Sequence, residues 1–213
     1  MRSWVRSLSL CGFIILLCAQ VSLATSFASA ERAFNHRNFA TALKELQPLA
    51  KQGDAKAQVL LARMYMMGYG VLKDPAEAHK WLEAAAAQGN PDAEFMLGAP
   101  SVLRHENIPE GLKLLRLSAE QGNQDAQLLL GEGYVQGVGT SLARDPVRAD
   151  MWLRLAARNN LPFYKAQLVQ AEQQMTPAQV AQGRALAAAW KPKHGLKPGT
   201  KPDSSSKPTG RQK

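Results

Sequence analysis

Two glycine-rich segments are the first candidates for chemistry in this sequence, because closely spaced glycines can cradle a phosphate group. Gly68-x-Gly70 lies in Y-M-M-G-Y-G-V-L-K-D-P, and Gly137-x-Gly139 lies in Y-V-Q-G-V-G-T-S-L-A-R-D-P. A dinucleotide-binding loop follows a strand and carries a third glycine three residues on. Lys73 and Leu142 occupy that position here. Because both loops precede Asp-Pro, we interpret them as hinges in which glycine tolerates positive φ.

A second candidate for chemistry is S-x-x-K at Ser204 and Lys207, the nucleophile motif of penicillin-recognising enzymes. That motif needs a buried helix and partner motifs, whereas here it lies among Lys-Pro and Ser-Ser pairs. A β-lactam- or peptidoglycan-related hydrolase is therefore the weakest of the functions considered. The histidines have no partner at metal-ligand spacing: His36, His79, His105 and His194. The sequence predicts a protein that is not an enzyme, with no catalytic residue, no metal and no cofactor.

Residues 1–30 have the organisation of a bacterial export signal. Arg2 and Arg6 precede an apolar run, 8–23, which is followed by small residues ending in Ala28-Ser29-Ala30. The apolar run is shorter than the roughly 20 residues that span a bilayer, so cleavage is favoured over an uncleaved anchor. Both cysteines lie in this segment and would be removed with it. The sequence predicts a periplasmic or secreted protein whose mature chain begins close to Glu31, after Ala30, with Ala24 and Ala28 as the alternatives for the last residue removed.

The formal charge of +9 is concentrated at the ends of the chain. Residues 1–30 carry +2 and residues 191–213 carry +6, which leaves +1 for residues 31–190. A nearly neutral body lacks the basic face of a nucleic-acid-binding domain, so no specific nucleic-acid partner is expected. Residues 191–213 are rich in Pro, Lys and Ser, which predicts a disordered basic tail. The alternative is a weak contact of this tail with an anionic surface of the cell envelope.

The body repeats itself. Gln-Gly pairs at Gln52, Gln88 and Gln121, with Asn159-Asn160 in the fourth place, are spaced by 36, 33 and 38 residues. This period is typical of helix-turn-helix repeats. Each unit repeats an alanine and, four residues on, a leucine, which lie on one helical face: Ala57, Ala93 and Ala126; Leu61, Leu97 and Leu130. The small residue after each leucine is expected to let a neighbouring helix approach closely: Ala62, Gly98 and Gly131.

A second helix is predicted in each unit, with a large apolar residue at one shared position. We expect these three residues to be buried in the core: Trp81, Leu114 and Trp152. The glycines of the Gln-Gly pairs are predicted to end each second helix in the left-handed conformation, and the next residues to cap the following helix: Asp54, Asn90 and Asn123.

The second helices are predicted to start at a polar cap followed by proline. Asp74 and Asp145 precede Pro75 and Pro146, and Asn107 has the same role in the middle unit. Capping boxes are expected at two glutamates three residues on: Glu77 and Glu110.

The pattern A-x-x-x-L-G-x-x-Y-x-x-G-x-G-V-x-x-D-x-x-x-A-x-x-W-x-x-x-A-A resembles the Sel-1-like repeat, an α/α relative of the tetratricopeptide repeat. The first full unit matches it at Ala57, Leu61, Tyr65, Gly68, Gly70, Val71, Asp74, Ala78, Trp81 and Ala84-Ala85. The third unit matches it at Ala126, Leu130, Gly131, Tyr134, Gly137, Gly139, Asp145, Ala149, Trp152 and Ala156-Ala157. The resemblance implies an all-α, right-handed α/α superhelical solenoid over residues 31–190 that binds a protein or peptide partner.

The middle unit departs from this pattern because Ala99-Pro100-Ser101 stands where helix residues and tyrosine are expected. A proline inside a helix costs on the order of 3 kcal/mol, so this helix is predicted to end near Gly98. Terminal helices are predicted to cap the solenoid, one after Asn38 and one from Thr176 to Trp190.

A candidate groove comes from the first helices, which line the concave surface in tetratricopeptide-like arrays. In each unit, the candidates are the residue that precedes the shared leucine and the residue two positions after that leucine. The groove residues are Leu60, Arg63, Met96, Leu129 and Glu132. The alternative is that the apolar members pack in the core.

The sequence thus predicts an adaptor or scaffold of the periplasm or cell envelope, or, alternatively, a protein held to the envelope surface by its basic tail.

Overall fold

The computed structural model describes residues 27–159 and 161–194, and these residues are built from helices joined by short turns. Most of the predicted export signal and of the basic tail, including Ser204 and Lys207, lies outside the described residues. Residues 27–35 are helical. The helices that follow are α1 (Phe39–Lys51), α2 (Ala55–Met67), α3 (Pro75–Ala86), α4 (Pro91–Leu103), α5 (Ile108–Glu120), α6 (Gln124–Gln136), α7 (Pro146–Ala156), the 3-10 turn Ala157–Asn159, α8 (Pro162–Glu172) and α9 (Pro177–Ala189).

The helices form stacked hairpins, which confirms the predicted all-α solenoid. Helices α2 and α3, α4 and α5, and α6 and α7 pack in pairs, while α1 packs on α2 and α9 packs on α7. Buried residues form three neighbouring clusters. The N-terminal cluster joins residues 27–35, α1 and α2, the middle cluster joins α2, α3 and α4, and the C-terminal cluster extends from α4 to α9.

Successive hairpins meet at the predicted glycine turns. Gly53, Gly89 and Gly122 have φ values of 94°, 79° and 97°, which is the left-handed conformation that glycine adopts without strain. The residue after each glycine accepts backbone N–H groups of the next helix; Asp54 Oδ1, for example, accepts from Ala57 at 2.9 Å. Because only three or four residues separate one hairpin from the next, the hairpins stack directly.

The recurring glutamines of the Gln-Gly pairs bind side chains in the first turn of the same unit's first helix. Gln88 Nε2 donates to Gln58 Oε1 at 2.9 Å, and Gln121 Nε2 donates to Glu94 Oε2 at 2.9 Å. Gln58 Nε2 in turn donates to the Ala50 carbonyl at 3.1 Å. The repeated pair therefore ties the two ends of a hairpin together.

The Gly-x-Gly segments are hinges between two helices, as predicted. Gly68 and Gly70 have φ values of 73° and 69°, and Gly137 and Gly139 have 79° and 52°. A Cβ atom on Gly70 would lie 2.9 Å from Phe39 Cβ, so the hinge also needs glycine for its close contact with α1.

Two predictions about the starts of the second helices are wrong: the capping boxes at Glu77 and Glu110, and the side-chain cap at Asn107. Asp74 and Asp145 cap α3 and α7, but Glu77 and Glu110 close no capping box. Glu77 accepts from Lys80 Nζ at 3.0 Å instead, and Glu110 from Lys113 Nζ at 3.1 Å, because a lysine lies three residues on. Asn107 precedes α5 without a side-chain capping bond. A capping box is present at Thr176 and Gln179, where α9 begins.

The prediction that the helix containing Pro100 ends near Gly98 is also wrong, because α4 continues to Leu103. Pro100 lies in the last turn, where its missing N–H leaves a single intrahelical bond unmade. Helices α4 and α5 approach so closely that a Cβ atom on Gly98 would lie 2.8 Å from the Gly111 carbonyl oxygen. We attribute the continued helix to this packing.

The burial predicted for the shared large residue holds for Trp152, which is 8% exposed, but Trp81 and Leu114 are only half-buried. Trp81 packs against both the N-terminal and the middle clusters, and Leu114 lies against Gly98 of its own hairpin. The residue after each of them is the one that lies in the core: Leu82, Leu115 and Leu153.

Helices α8 and α9 close the C-terminal end of the solenoid. Trp190 packs edge-on against Trp152, with ring centroids 6.5 Å apart. Asp150, fully buried, forms an ion pair with Arg154 at 2.6 Å, and Arg154 also pairs with Glu172 of α8.

In the part of the chain that the structure describes, no helix is both long and apolar enough to cross a membrane.

Candidate functional site

A cleft of about 310 Å³ lies on the surface that the first helices of three successive units share. Its walls come from residues 27–35, the end of α2, the first half of α4 and the start of α6. We call it the aromatic cleft, and its lining residues are Phe34, Arg63, Met67, Tyr69, Asp92, Phe95, Met96, Asn123 and Asp125.

Aromatic and methionine side chains form the floor of the aromatic cleft. Phe34 and Tyr69 have ring centroids 6.1 Å apart, and Tyr69 stacks on Phe39 at 4.6 Å. Met67 is 59% exposed, and Phe95 and Met96 are half-buried. Solvent-accessible aromatic and methionine side chains are enriched at protein interfaces.

Two carboxylates stand on the rim of the aromatic cleft. Asp92 accepts from Asn123 Nδ2 at 2.8 Å, which links α4 to the start of α6. Asp125 accepts from the Tyr164 hydroxyl, and this hydrogen bond raises the pKa of Tyr164 to about 12. Arg63 is the one basic residue in the lining, so the cleft has a formal charge of −1.

A family model for the Sel1 repeat matches three consecutive segments, residues 55–90, 91–123 and 124–161. These segments coincide with the three hairpins and together cover half of the chain. The chain belongs to the Sel1 repeat family. Sel1 repeat proteins generally mediate interactions between proteins, and their fold is typically a non-enzymatic scaffold.

Solved structures of Sel1 repeat proteins are similar to this chain. A Sel1 repeat protein from Oxalobacter formigenes is 25% identical, with a TM-score of 0.62 over 76% of this chain and 69% of that one. A protective antigen of uropathogenic Escherichia coli with the same type of repeat is 25% identical, with a TM-score of 0.63 over 81% of this chain. The match covers 39% of that antigen. No curated protein sequence matches the chain.

A second cleft, of about 430 Å³, lies between α6, α7 and α8 of the Sel1 solenoid. We call it the glutamine cleft, and it is lined by Glu132, Val135, Gln136, Arg144, Leu153, Gln167, Gln170, Ala171 and Gln174. Burial raises the pKa of Glu132 above its usual range. The cleft is polar, whereas the floor of the aromatic cleft is apolar.

The structure distributes the five predicted groove residues among three environments. Arg63 and Met96 line the aromatic cleft, and Glu132 lines the glutamine cleft. Leu60 is 8% exposed and belongs to the N-terminal cluster, and Leu129 packs against the C-terminal cluster. These two leucines therefore support the packing alternative, because a concave helix surface buries its apolar positions wherever neighbouring units meet.

Three features of the aromatic cleft were missed by sequence reasoning. Asp92 and Asp125 each precede the shared alanine of their Sel1 unit, so the repeat alignment could have placed them on one edge. Phe95 is two residues after that alanine. Phe34 and Tyr69 come together through the fold of residues 27–35 against the first hinge, which no repeat alignment indicates.

Within residues 27–159 and 161–194, no group of three or more His, Cys, Asp or Glu side chains could hold a metal ion. His79 pairs with Glu83 at 3.4 Å on an exposed surface of α3.

Proposed function

We propose that this Sel1 repeat protein is an exported, non-catalytic adaptor of the periplasm or cell envelope that binds a protein or peptide partner in the aromatic cleft. The observation that carries the proposal is an accessible aromatic and methionine floor with an acidic rim, shared by three successive repeats. A groove that spans several repeats suits an extended segment of a partner, because each repeat contributes one part of the contact.

Export is supported by the organisation of the first thirty residues, and the packing of residues 27–30 favours one cleavage position. Ala30 is fully buried, and Phe27 packs against the N-terminal cluster. Cleavage after Ala28 or Ala30 would remove Phe27 from this cluster, whereas cleavage after Ala24 retains both residues.

N-terminal sequencing of the exported protein is therefore expected to give Thr25 as the first residue. Intact mass gives the same assignment independently. A mature chain that starts at Glu31 would contradict the role of Phe27 and Ala30 in the core, and retention of Met1 in the cytoplasm would contradict export itself.

Partner binding is tested by a photo-cross-linking amino acid placed at Phe95 in cells. We expect a discrete cross-linked partner, and an at least tenfold loss of its recovery in the Met96→Ala variant. Leu72 is 91% exposed and lies outside the aromatic cleft, so the same cross-linker at Leu72 is the matched control. Equal recovery of the partner from both positions would contradict the cleft as the binding surface.

The alternative is that the basic tail holds the protein to an anionic envelope surface, since residues 191–213 carry a charge of +6. Such binding would weaken as ionic strength rises, because exposed charges are screened over roughly 8 Å at physiological salt. Co-sedimentation with anionic vesicles at low and high salt measures it directly.

A further inference from the structure

The last described residues of the chain run back along the solenoid toward its earlier repeats. Trp190 contacts Trp152 of α7, and Pro192 comes within 3.9 Å of the position of a Cβ atom on Gly122. Lys193 then donates its backbone N–H to the Glu120 carbonyl at 2.8 Å, and its Nζ pairs with Glu120 at 3.4 Å. The path therefore leads from the third hairpin to the end of the second.

This path passes close to one edge of the aromatic cleft. Gly122, which Pro192 approaches, is followed directly by Asn123, and Asn123 and Asp125 line the cleft. The nineteen residues that follow His194 could extend up to about 60 Å at 3.1 Å per residue. Because Lys193 bonds to Glu120, only three positions before the lining residue Asn123, the segment is long enough to reach the cleft.

The chemistry of the segment 195–213 is complementary to that of the cleft. It contains three Lys-Pro pairs and carries a formal charge of +4, and the cleft carries −1 with carboxylates on its rim. Proline-rich segments populate an extended helix whose rings dock on aromatic side chains, and Phe34, Tyr69 and Phe95 supply these here. Lys193 on Glu120 shows that the first part of the basic region already pairs with an acidic group of the solenoid.

We propose that the aromatic cleft recognises an extended Lys-Pro-rich segment, and that residues 195–213 of this chain are its occupant in the absence of a partner. This inference rests on the aromatic cleft being the binding surface proposed above. The tail is then an internal competitor, which a partner of the same chemistry must displace.

The test uses a fluorescein-labelled synthetic peptide of residues 195–213 and measures its fluorescence anisotropy with two proteins. One is the full chain, and the other ends at His194 and so retains every described residue. We expect the peptide to bind the shortened chain at least tenfold more tightly, because in the full chain the tethered tail occupies the cleft at high effective concentration.

Variants distinguish binding of the peptide in the aromatic cleft from non-specific electrostatic attraction to acidic residues elsewhere on the protein. In the shortened chain, Asp92→Asn combined with Phe95→Ala is expected to weaken the peptide at least tenfold, while Glu106→Gln, an exposed acid outside the cleft, leaves it unchanged. Replacing the three prolines of the peptide by alanine is expected to weaken binding with no change of charge. Circular dichroism melts check that each variant is folded.

Several results would overturn the proposal. Equal affinity of the peptide for both chains, or no binding to either, shows that the tail does not occupy the cleft. Dimers that form only with the tail, seen by sedimentation, make a second copy the occupant, and vesicle binding that is lost in the cleft variants makes a lipid surface the occupant. A partner cross-linked at Phe95 together with a peptide that does not bind would refute this inference while the proposed function stands.

Discussion

Glu94 occupies, in the middle repeat, the position that Gln58 and Gln127 occupy in the other two. Those glutamines each donate a side-chain N–H to a carbonyl at the end of the preceding helix, Gln127 to Ala119 at 3.0 Å. The Glu94 carboxylate cannot donate, and its Oε1 is buried without a partner among the described residues. Burial raises the pKa of Glu94 to about 7, and the Gln121 hydrogen bond opposes this only in part.

A raised pKa in an acid means that the folded state prefers the neutral form. The stability contributed by neutral Glu94 is therefore complete below its ordinary pKa of 4.5 and is lost as pH rises to about 7. We expect the free energy of unfolding to fall across this window by up to roughly 3 kcal/mol. Burial also raises the pKa values of Glu132 and Asp150, so their contributions have the same sign.

Glu94→Gln is expected to flatten most of this pH dependence and to stabilise the protein at pH 8, because glutamine restores the donor of the other repeats. Urea unfolding at pH 5 and pH 8 measures both effects. Glu106→Gln on the exposed surface serves as the control. An unchanged pH dependence in Glu94→Gln would contradict the neutral buried acid.

Helix packing in the middle hairpin depends on a reciprocal pair of glycines. A Cβ atom on Gly98 would lie 2.8 Å from the Gly111 carbonyl oxygen, and one on Gly111 would lie 2.9 Å from the Gly98 carbonyl oxygen. Backbone atoms cannot move aside as a flexible side chain can. This contact holds α4 against α5 close to Pro100, where α4 lacks one intrahelical hydrogen bond.

Gly98→Ala is expected to cost about 1–3 kcal/mol of unfolding free energy, since overpacking outweighs the helix propensity gained. Gly133→Ala in α6 is the matched control, because its Cβ atom would meet only the side chains of Leu142 and Val138, at 3.0 Å and 3.4 Å. Chemical denaturation of the two variants gives the comparison. A Gly98→Ala protein as stable as Gly133→Ala would show that the helices can separate at little cost.

The whole molecule is an open array whose C-terminal end is covered by α8 and α9. Ala187 belongs to the C-terminal cluster, and Arg158 donates to the Ala187 carbonyl at 2.9 Å. Gly183 lets α9 lie directly on α7, because a Cβ atom there would come within 2.6 Å of Asp150 Cβ. Without this cover, the apolar surface of α7 would face water.

A chain that ends at Asn159 is expected to lose more than about 3 kcal/mol of unfolding free energy, since Trp152 would be uncovered. A chain that ends at His194 is expected to unfold like the full protein. Urea melts compare the two, and hydrogen exchange should show the first hairpin still protected in the shorter chain. Equal stability of all three chains would mean that α8 and α9 are not a structural cap.

Local chemistry determined the parts of this fold that recur in the sequence. The left-handed glycines, the side-chain caps of Asp54, Asn90 and Asn123, and the hinges depend on neighbouring residues alone, so the sequence was enough to predict them. The period of 33 to 38 residues likewise determined an array of helix-turn-helix units, and the motif residues of the first and third units carried the resemblance to the Sel1 repeat.

The tertiary structure decided what depends on distant residues. Helix α4 passes Pro100 because α5 packs against it, Glu77 pairs with Lys80 instead of closing a box, and Leu60 is buried between units. The aromatic cleft unites residues 27–35 with α4 and α6, and its lining residues Phe34 and Asp125 lie 91 positions apart in the chain. Sequence periodicity assigns residues to a face of a helix, but the curvature of the stacked hairpins decides which of those faces meet.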